Sequence, residues 1–588
     1  MRILITIGWV LLSSFSTAQT LQNLSFELDA GGFPYKWEAG GENAHRISLD
    51  SLHHSDGKFS IHFTPLTQSS KAFTTLNNAI DASLFSGRSA LEVKAEIRIQ
   101  NPLPTIAAIY CLQYGAGGEL IKLDNSEAQY NPTDTLNWQQ HILSITLVPG
   151  VKQLLMGCYV SGPGQGWFDN FQFAIDQISL TSRESEMTEP ESQELSWLRK
   201  AVIPAFSQSD STYQFHQKLK QHLKSGLKQN RIVLLGEPTH GSQEVFAAKN
   251  HLYQYLVSEL GYNVFTLEVT MAAAKKVEAE VSKIHGNLKG SIANLGFWCW
   301  NTPEMLKLAQ FQSNYNQAHP QNLFFTGCDS QVPTEALAIL VEFVKSNYPP
   351  LRSVVDSMTI SIDSVMKDVY AQGHTDFDLN RFMPILQHVR EVLTKNRPDF
   401  KKQPTPFEWA WILQSIRLVE QSLTILQPDN SFLRDEFMAE NVGWILQHYP
   451  EAKIVVWAHN DHISYQKNKL GSLLKSRFGS EVFSIAFATG RGSYTAYDVH
   501  KNQITRNNPL QLPLKNSYEY YFEKAAIPNF YLDVSRHDVQ PDNEWLYQPR
   551  LFRSVGGAVS AYQFFETNLG SLFDSVIYID ETSSTYVF

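Results

Sequence analysis

Two textures of hydrophobic patterning divide this chain. Between residues 20 and 181, apolar and polar positions alternate in short runs, as in Ser60-Ile61-His62-Phe63, Leu91-Glu92-Val93-Lys94-Ala95-Glu96-Ile97 and Gln140-His141-Ile142-Leu143. Gly, Pro, Asn and Asp separate the runs, and no long helical period interrupts them. Alternation with period two buries one face of a strand and wets the other. Residues 19–181 are therefore expected to form an all-β sandwich. After Trp197 the pattern changes. Continuous apolar runs at 231–236, 263–267, 322–327, 452–458 and 482–486 alternate with stretches of helical period. Strands buried on both faces of a sheet read this way. Residues 247–260 read as a helix stopping at Gly261, which closes a β-α-β unit. A mostly helical stretch at 333–449 separates the third strand from the fourth and is expected as a helical subdomain inserted over the sheet. Residues 529–534 read as one more strand. The expected fold is α/β, a mostly parallel sheet flanked by helices with a helical insertion, preceded by the sandwich.

The joints are legible in composition. Residues 182–194, SRESEMTEPESQE, hold five Glu and almost nothing apolar, which predicts a solvated acidic linker and a second domain at 195–588. At the start, Met1-Arg2 precedes an apolar run over 3–12, and Ser16-Thr17-Ala18 supplies small residues before Gln19. That is the pattern of a secretory signal peptide over 1–18, which predicts a secreted or periplasmic protein. No run is long enough to span a bilayer.

Composition narrows the function classes. Hydrophobic residues make up 43% and charged residues 18% of the 588, which excludes a disordered or coiled-coil main state. The formal charge of −10 disfavours nucleic acid as a partner, because that needs a positive field. Four cysteines, Cys111, Cys158, Cys299 and Cys328, are too few for a disulfide scaffold and lack zinc-site spacing. Cys111 and Cys158 sit in strand-like segments, either as a pair or as small buried hydrophobes.

Candidate chemistry gathers where strands end. The first strand of the second domain runs into Glu237 and then His240, the second into Glu268, the third into Asp329, and the fourth into His459 and His462. Ligands of open α/β sheets bind outside the carboxyl ends of the strands. No G-x-S-x-G, H-E-x-x-H or phosphate-binding glycine loop occurs. A hydrolase built on these residues would use activated water: an imidazole takes the proton, and a neighbouring carboxylate orients the ring.

These blocks carry a resemblance. Gly236-Glu237-Pro238-Thr239-His240-Gly241-Ser242-Gln243-Glu244 and Thr266-Leu267-Glu268 resemble segments of the erythromycin esterase family. So do Trp300-Asn301-Thr302-Pro303-Glu304-Met305, Phe325-Thr326-Gly327-Cys328-Asp329, Arg434-Asp435 with Met438-Ala439-Glu440-Asn441, and Val456-Trp457-Ala458-His459-Asn460-Asp461-His462. The blocks stand in family order over 199–588. The resemblance implies a carboxylic ester hydrolase without cofactor or metal, acting on an ester or a lactone such as that of a macrolide. It implies His240 as the base that activates water, Glu237 and Glu268 as positioning residues, and His459 and His462 completing the site. Lys249 stands where some members have Arg, and it keeps the charge without the bidentate fork. Glu244, Lys249, Trp298, Trp300, Arg434 and His462 are the expected substrate-binding residues. Trp298 and Trp300 fit either a pocket wall or packing. The ends of the sandwich, Asn23 to Trp37 and Gly166 to Phe171, resemble carbohydrate-binding modules, which implies a glycan partner. Trp37 and Trp167 would be either sugar platforms or core. Two alternatives stay open: the same His/Glu cluster holding Zn²⁺ or Mn²⁺, and a secreted glycan-binding protein whose large domain is inactive.

Overall fold

The computed structural model describes residues 23–588 except 28–32, 35–36, 43, 68, 70–71, 81–88, 101–104, 116–118, 130–136, 176–177, 181–188, 207–213, 320–322, 373–376, 499–500, 516, 536 and 561–562. The expected leader and residues 182–188 of the expected linker lie outside the described residues. The chain divides into two compact units, Met1–Glu189 and Pro190–Phe588.

The first unit is an all-antiparallel sandwich. One sheet runs Glu38–Gly41, Phe73–Ile80, Gln153–Ser161, Ile106–Tyr114, Leu120–Asn125; the other runs His45–Asp50, Ser60–Pro65, Gln165–Ile175, Ala90–Gln100, Gln139–Thr146. The alternation read from sequence has its counterpart in Ala90–Gln100, where Leu91, Val93, Ala95, Ile97 and Ile99 are buried and the residues between them are not. Neither tryptophan presents a free platform. Trp37 is wholly buried against Phe26 and Phe171, with its indole N–H on Asn23 O at 3.0 Å. Trp167 is buried with its face stacked on His62 at 4.3 Å, and its N–H is held by Asp50 at 2.7 Å. Cys111 and Cys158 are buried free thiols. The ladder pairs Cys111 with Met156 and Ile109 with Cys158, so the two lie out of register.

The second unit begins with helix Ser192–Ala201, inside the segment expected as linker. Glu194 accepts from the backbone N–H of Glu191 at 2.7 Å, so part of the acidic run starts this helix. The central sheet has the order Ile203–Pro204, Asn529–Asp533, Ser575–Thr582, Val482–Asp498, Ile232–Leu235, Ile454–Trp457, Val264–Thr270, Phe324–Asp329, and Gln503–Pro509 pairs with the long strand Val482–Asp498. Ile232–Leu235 pairs in parallel with both its neighbours, as does Val264–Thr270. Asn529–Asp533 is antiparallel to both of its own.

Each inner strand feeds two cores, because successive side chains point to opposite faces. Ile232, Leu234, Ile454 and Val456 join one apolar cluster; Val233, Leu235, Val455 and Trp457 join the other. Helices Thr334–Asn347, Arg352–Gln372, Met383–Lys395, Pro406–Ile425 and Arg434–His448 lie between the third and fourth of these strands in the chain. The last of them is clamped to the sheet by Asn441. Its amide donates to Cys328 O at 2.9 Å and to Gln421 at 3.0 Å, and accepts from Gln414 at 2.8 Å. This clamp sits one residue from Asp329 and on the helix that begins with Arg434.

Asn441 is fully buried, so Asn441→Ala strands several polar partners. It should destabilise the second unit by about 2 kcal/mol, measured as a lower urea midpoint at unchanged slope.

Candidate active site

Sheet order, not chain order, assembles the site. The strands that lead into Glu237, His459, Glu268 and Asp329 are consecutive neighbours in that order. Their ends form one row of titratable side chains. The loops after the first two strands touch closely: a Cβ at Gly236 would lie 2.0 Å from Asn460 Oδ1, and Asn460 N donates to Glu237 O at 3.0 Å.

Glu237 is completely buried. Its Oε1 meets His240 Nδ1 at 2.7 Å; its Oε2 accepts from Lys249 Nζ and Trp457 Nε1, both at 2.5 Å. Burial opposes ionisation, but Lys249 and His240 outweigh it and hold the carboxyl below its usual range. Lys249, buried over the Trp457 ring at 4.1 Å, is pulled down by desolvation to about 8 although Glu237 supports its charge. An ionised Glu237 can only accept at this contact, so Nδ1 carries the donating proton and the ring's lone pair falls on Nε2 in the neutral tautomer. The His240 side chain is 14% exposed. The loop 556–557 backs it: Gly556 O accepts from His240 N at 3.2 Å, and a Cβ on Gly557 would stand 3.5 Å from His240 Cδ2 and 3.9 Å from Trp298 Cζ2.

A second network lies beside the first. Arg434 donates through Nη2 to Glu268 at 2.8 Å and to Asp329 at 2.6 Å, and through Nε to Asp329 at 3.1 Å. The side-chain oxygen of Gln331 also accepts from it. His462 places Nδ1 on Asp435 at 2.8 Å and Nε2 3.3 Å from Glu268. Burial would lower its pKa, but Asp435 and Glu268 overcome burial and raise it to about 10. His462 is thus an imidazolium, and its 3.1 Å approach to Arg434 Nη1 is a contact of two donors sharing one carboxylate. Glu268, although buried, is held well below the usual range by His462 and Arg434.

His459 is the opposite case. Desolvation, reinforced by His240, lowers it to about 4, so it is neutral. Its Nδ1 accepts from Asp461 N at 3.3 Å, which puts the ring proton on Nε2. That Nε2 is buried without a hydrogen-bond partner, and the ring centroid lies 5.3 Å from that of His240. Its backbone N–H donates to Glu268 Oε2 at 2.8 Å.

The structure thus brings together His240, Glu237, Glu268, His459, His462, Lys249 and Arg434, but it redistributes the work. Lys249 is fully buried and paired with Glu237. Arg434 is 23% exposed yet spends its donors on carboxylates. His462 is locked between Asp435 and Glu268. Glu244 points elsewhere, accepting from Thr582 Oγ1 at 2.8 Å and from Ser583 N and Oγ at 2.5 and 2.7 Å. Trp300 is buried, donates to Glu268 O at 3.1 Å and lies 5.8 Å from the His240 ring at 70° to it, so it packs. Trp298 is half-buried beside Gly557, as a pocket wall would be. Asp435, Trp457 and the 556–557 loop have roles that the sequence alone does not reveal. Asp435 and Trp457 stand inside the family-like segments, whereas the loop carries no local signal. Among the described residues, no group of three or more His, Cys, Asp or Glu has a metal-holding arrangement. No described helix is long and apolar enough to cross a membrane.

The His462 charge has a pH signature. Its folded pKa is raised, so the Asp435–His462 stabilisation is complete below about pH 6.5. It fades as pH rises toward about 10. The stability gap between wild type and Asp435→Asn should therefore narrow from pH 6 to pH 9.5 in urea unfolding. A gap that widens contradicts the imidazolium.

The erythromycin esterase family model matches residues 257–582, more than half of the chain. Glu268, Arg434, His459 and His462 lie within that span; Glu237 and His240 precede it. The Bacillus subtilis (strain 168) protein YbfO, a hydrolase by name, is 23% identical over 398 residues, 62% of this chain and 86% of its own. Erythromycin esterase type II of Escherichia coli is 23% identical over 434 residues, 66% of this chain and 98% of its own. A Bacillus cereus protein of solved structure shares the fold with a TM-score of 0.59 at 24% identity, over 67% of this chain and 98% of that one. The chain belongs to the erythromycin esterase family.

Proposed function

We propose that the second unit hydrolyses an ester or lactone with water activated by His240 and no covalent intermediate. The observation that carries this reading is the 2.7 Å contact of Glu237 with His240 Nδ1: with that nitrogen donating to the carboxylate, Nε2 is the one that can accept a proton. Water held on Nε2 attacks the carbonyl carbon and gives its proton to the imidazole. Glu237 stabilises the resulting imidazolium. The carbonyl oxygen becomes an oxyanion, for which the unpartnered His459 Nε2–H is a preorganised donor. When the tetrahedral adduct collapses, the imidazolium returns its proton to the leaving alkoxide. Glu268 fixes the backbone of His459, while Arg434 and His462 hold Glu268. Trp298 and Gly557 make an apolar wall against which an acyl or alcohol portion can lie. A macrolide lactone is one member of the substrate class.

Family membership supports the hydrolase class, and residues 1–18 support export. The reaction as written needs no Lewis acid.

A panel of esters and lactones, macrolides included, with mass-spectrometric detection of the water adduct, tests the reading. His240→Ala should lose about 10²–10⁴-fold in turnover, and His459→Ala about 10²-fold in kcat. Turnover should survive chelation and dialysis. Undiminished rates in a folded His240→Ala protein, or loss on chelation with recovery on Zn²⁺ or Mn²⁺, would end the proposal.

A further inference from the structure

Residues 583–588 lie just past the family-matched span and run alongside the His240 loop. Ser584 bridges Ser242 in antiparallel fashion, Gln243 N donates to Ser583 O at 2.9 Å, and Thr585 N donates to Gly241 O at 3.0 Å. Glu244 grips the start of the segment through Thr582 and Ser583. The far end is tied to the tryptophan turn Trp298–Trp300. Phe588 N donates to Asn301 O at 3.0 Å, and Asn301 Nδ2 donates to Phe588 O at 3.2 Å.

In the middle sits Thr585, fully buried. Its Oγ1 donates to Glu304 Oε2 at 2.7 Å, in the first turn of the helix that follows the tryptophan turn. Its carbonyl accepts from Thr495 Oγ1 at 2.6 Å. Gly241 is trapped between the two threonines: its carbonyl also accepts from Thr495 N at 3.0 Å, and a Cβ there would lie 1.8 Å from Thr495 O. The residue after His240 is thus held from two sides. One holder is Thr585, which also reaches the wall that carries Trp298 and Trp300.

We propose that residues 583–588 form a strap fixing the His240 ring against the tryptophan turn, with Thr585 as the positioning residue. A hydrogen-bonded chain, Gly241–Thr585–Glu304, joins the loop of the base to the opposite wall. Releasing it lets the His240 loop shift relative to Trp298 and Gly557, and displacements of this kind cost rate more than binding. The effect on turnover rests on the hydrolytic reading of His240; the placement of the ring does not.

The test uses the full chain as wild type, Thr585→Val and Thr585→Ser. Two readouts are taken: kcat and KM on an ester the wild type cleaves, and the rate of His240 carbethoxylation by diethyl pyrocarbonate, resolved by peptide mass spectrometry. Thr585→Val removes the bond to Glu304 at nearly constant volume. It should lower kcat about tenfold with KM within about twofold, and change the His240 modification rate about threefold. Thr585→Ser should restore both. An unchanged His240 rate in folded Thr585→Val overturns the strap. If His240 responds but no ester is turned over even by wild type, the strap stands and the hydrolytic reading falls. Should Thr585→Val not fold, Ser583→Ala, which deletes an exposed hydroxyl held by Glu244, is judged by the same His240 criterion.

Discussion

An ionised carboxylate sealed from water costs several kcal/mol unless donors replace the water it loses. Glu237 is such a group, and its three donors come from three places: His240 from its own loop, Lys249 from the following helix, and Trp457 from the neighbouring strand. Folding brings all of them onto one carboxylate. Once there, they dictate the proton arrangement of His240. The requirement that stabilises the buried charge is also the one that readies the ring.

The second network works by the same logic with more members. Glu268, Asp329 and Asp435 face Arg434 and the His462 imidazolium, so strand ends, a helix start and a short turn are locked together by mutual neutralisation. Such networks contribute little net stability when buried. What they supply is position: the Glu268 oxygen not held by Arg434 carries the backbone of His459. One neutral histidine is thereby left facing His240 with an unspent donor.

Around this polar floor the supporting parts are apolar or backbone. Phe246 stacks on Trp300 and meets Trp457 edge-on, packing the space behind Glu237. The 556–557 loop and the 583–588 segment hold the His240 loop through main-chain bonds. Both come from sequence far from His240, so this ring is embedded in contacts made late in the chain.

By itself the sequence determined the parts with local signatures. Period-two alternation marked the sandwich, continuous apolar runs marked the inner strands, and the blocks around His240 and His459 marked titratable residues that the fold gathers into one cluster. The separation between the two units also showed, because a Glu-rich stretch cannot bury a core, although a helix starts within it at Ser192. Only the tertiary structure decided the strand order that sets Glu237, His459, Glu268 and Asp329 side by side, since pairing depends on contacts between distant segments. It also decided which charged groups were available: Lys249, Arg434 and Glu244 are alike on paper as substrate contacts, and each is consumed by a partner no local pattern reveals. The clearest case is His459 and His462. They are one residue type three positions apart, yet one is driven to about 4 and the other to about 10. Burial acts on both. Asp435 and Glu268 rescue the charge of His462, whereas His459 faces another imidazole, and only the fold determines which neighbour each one meets.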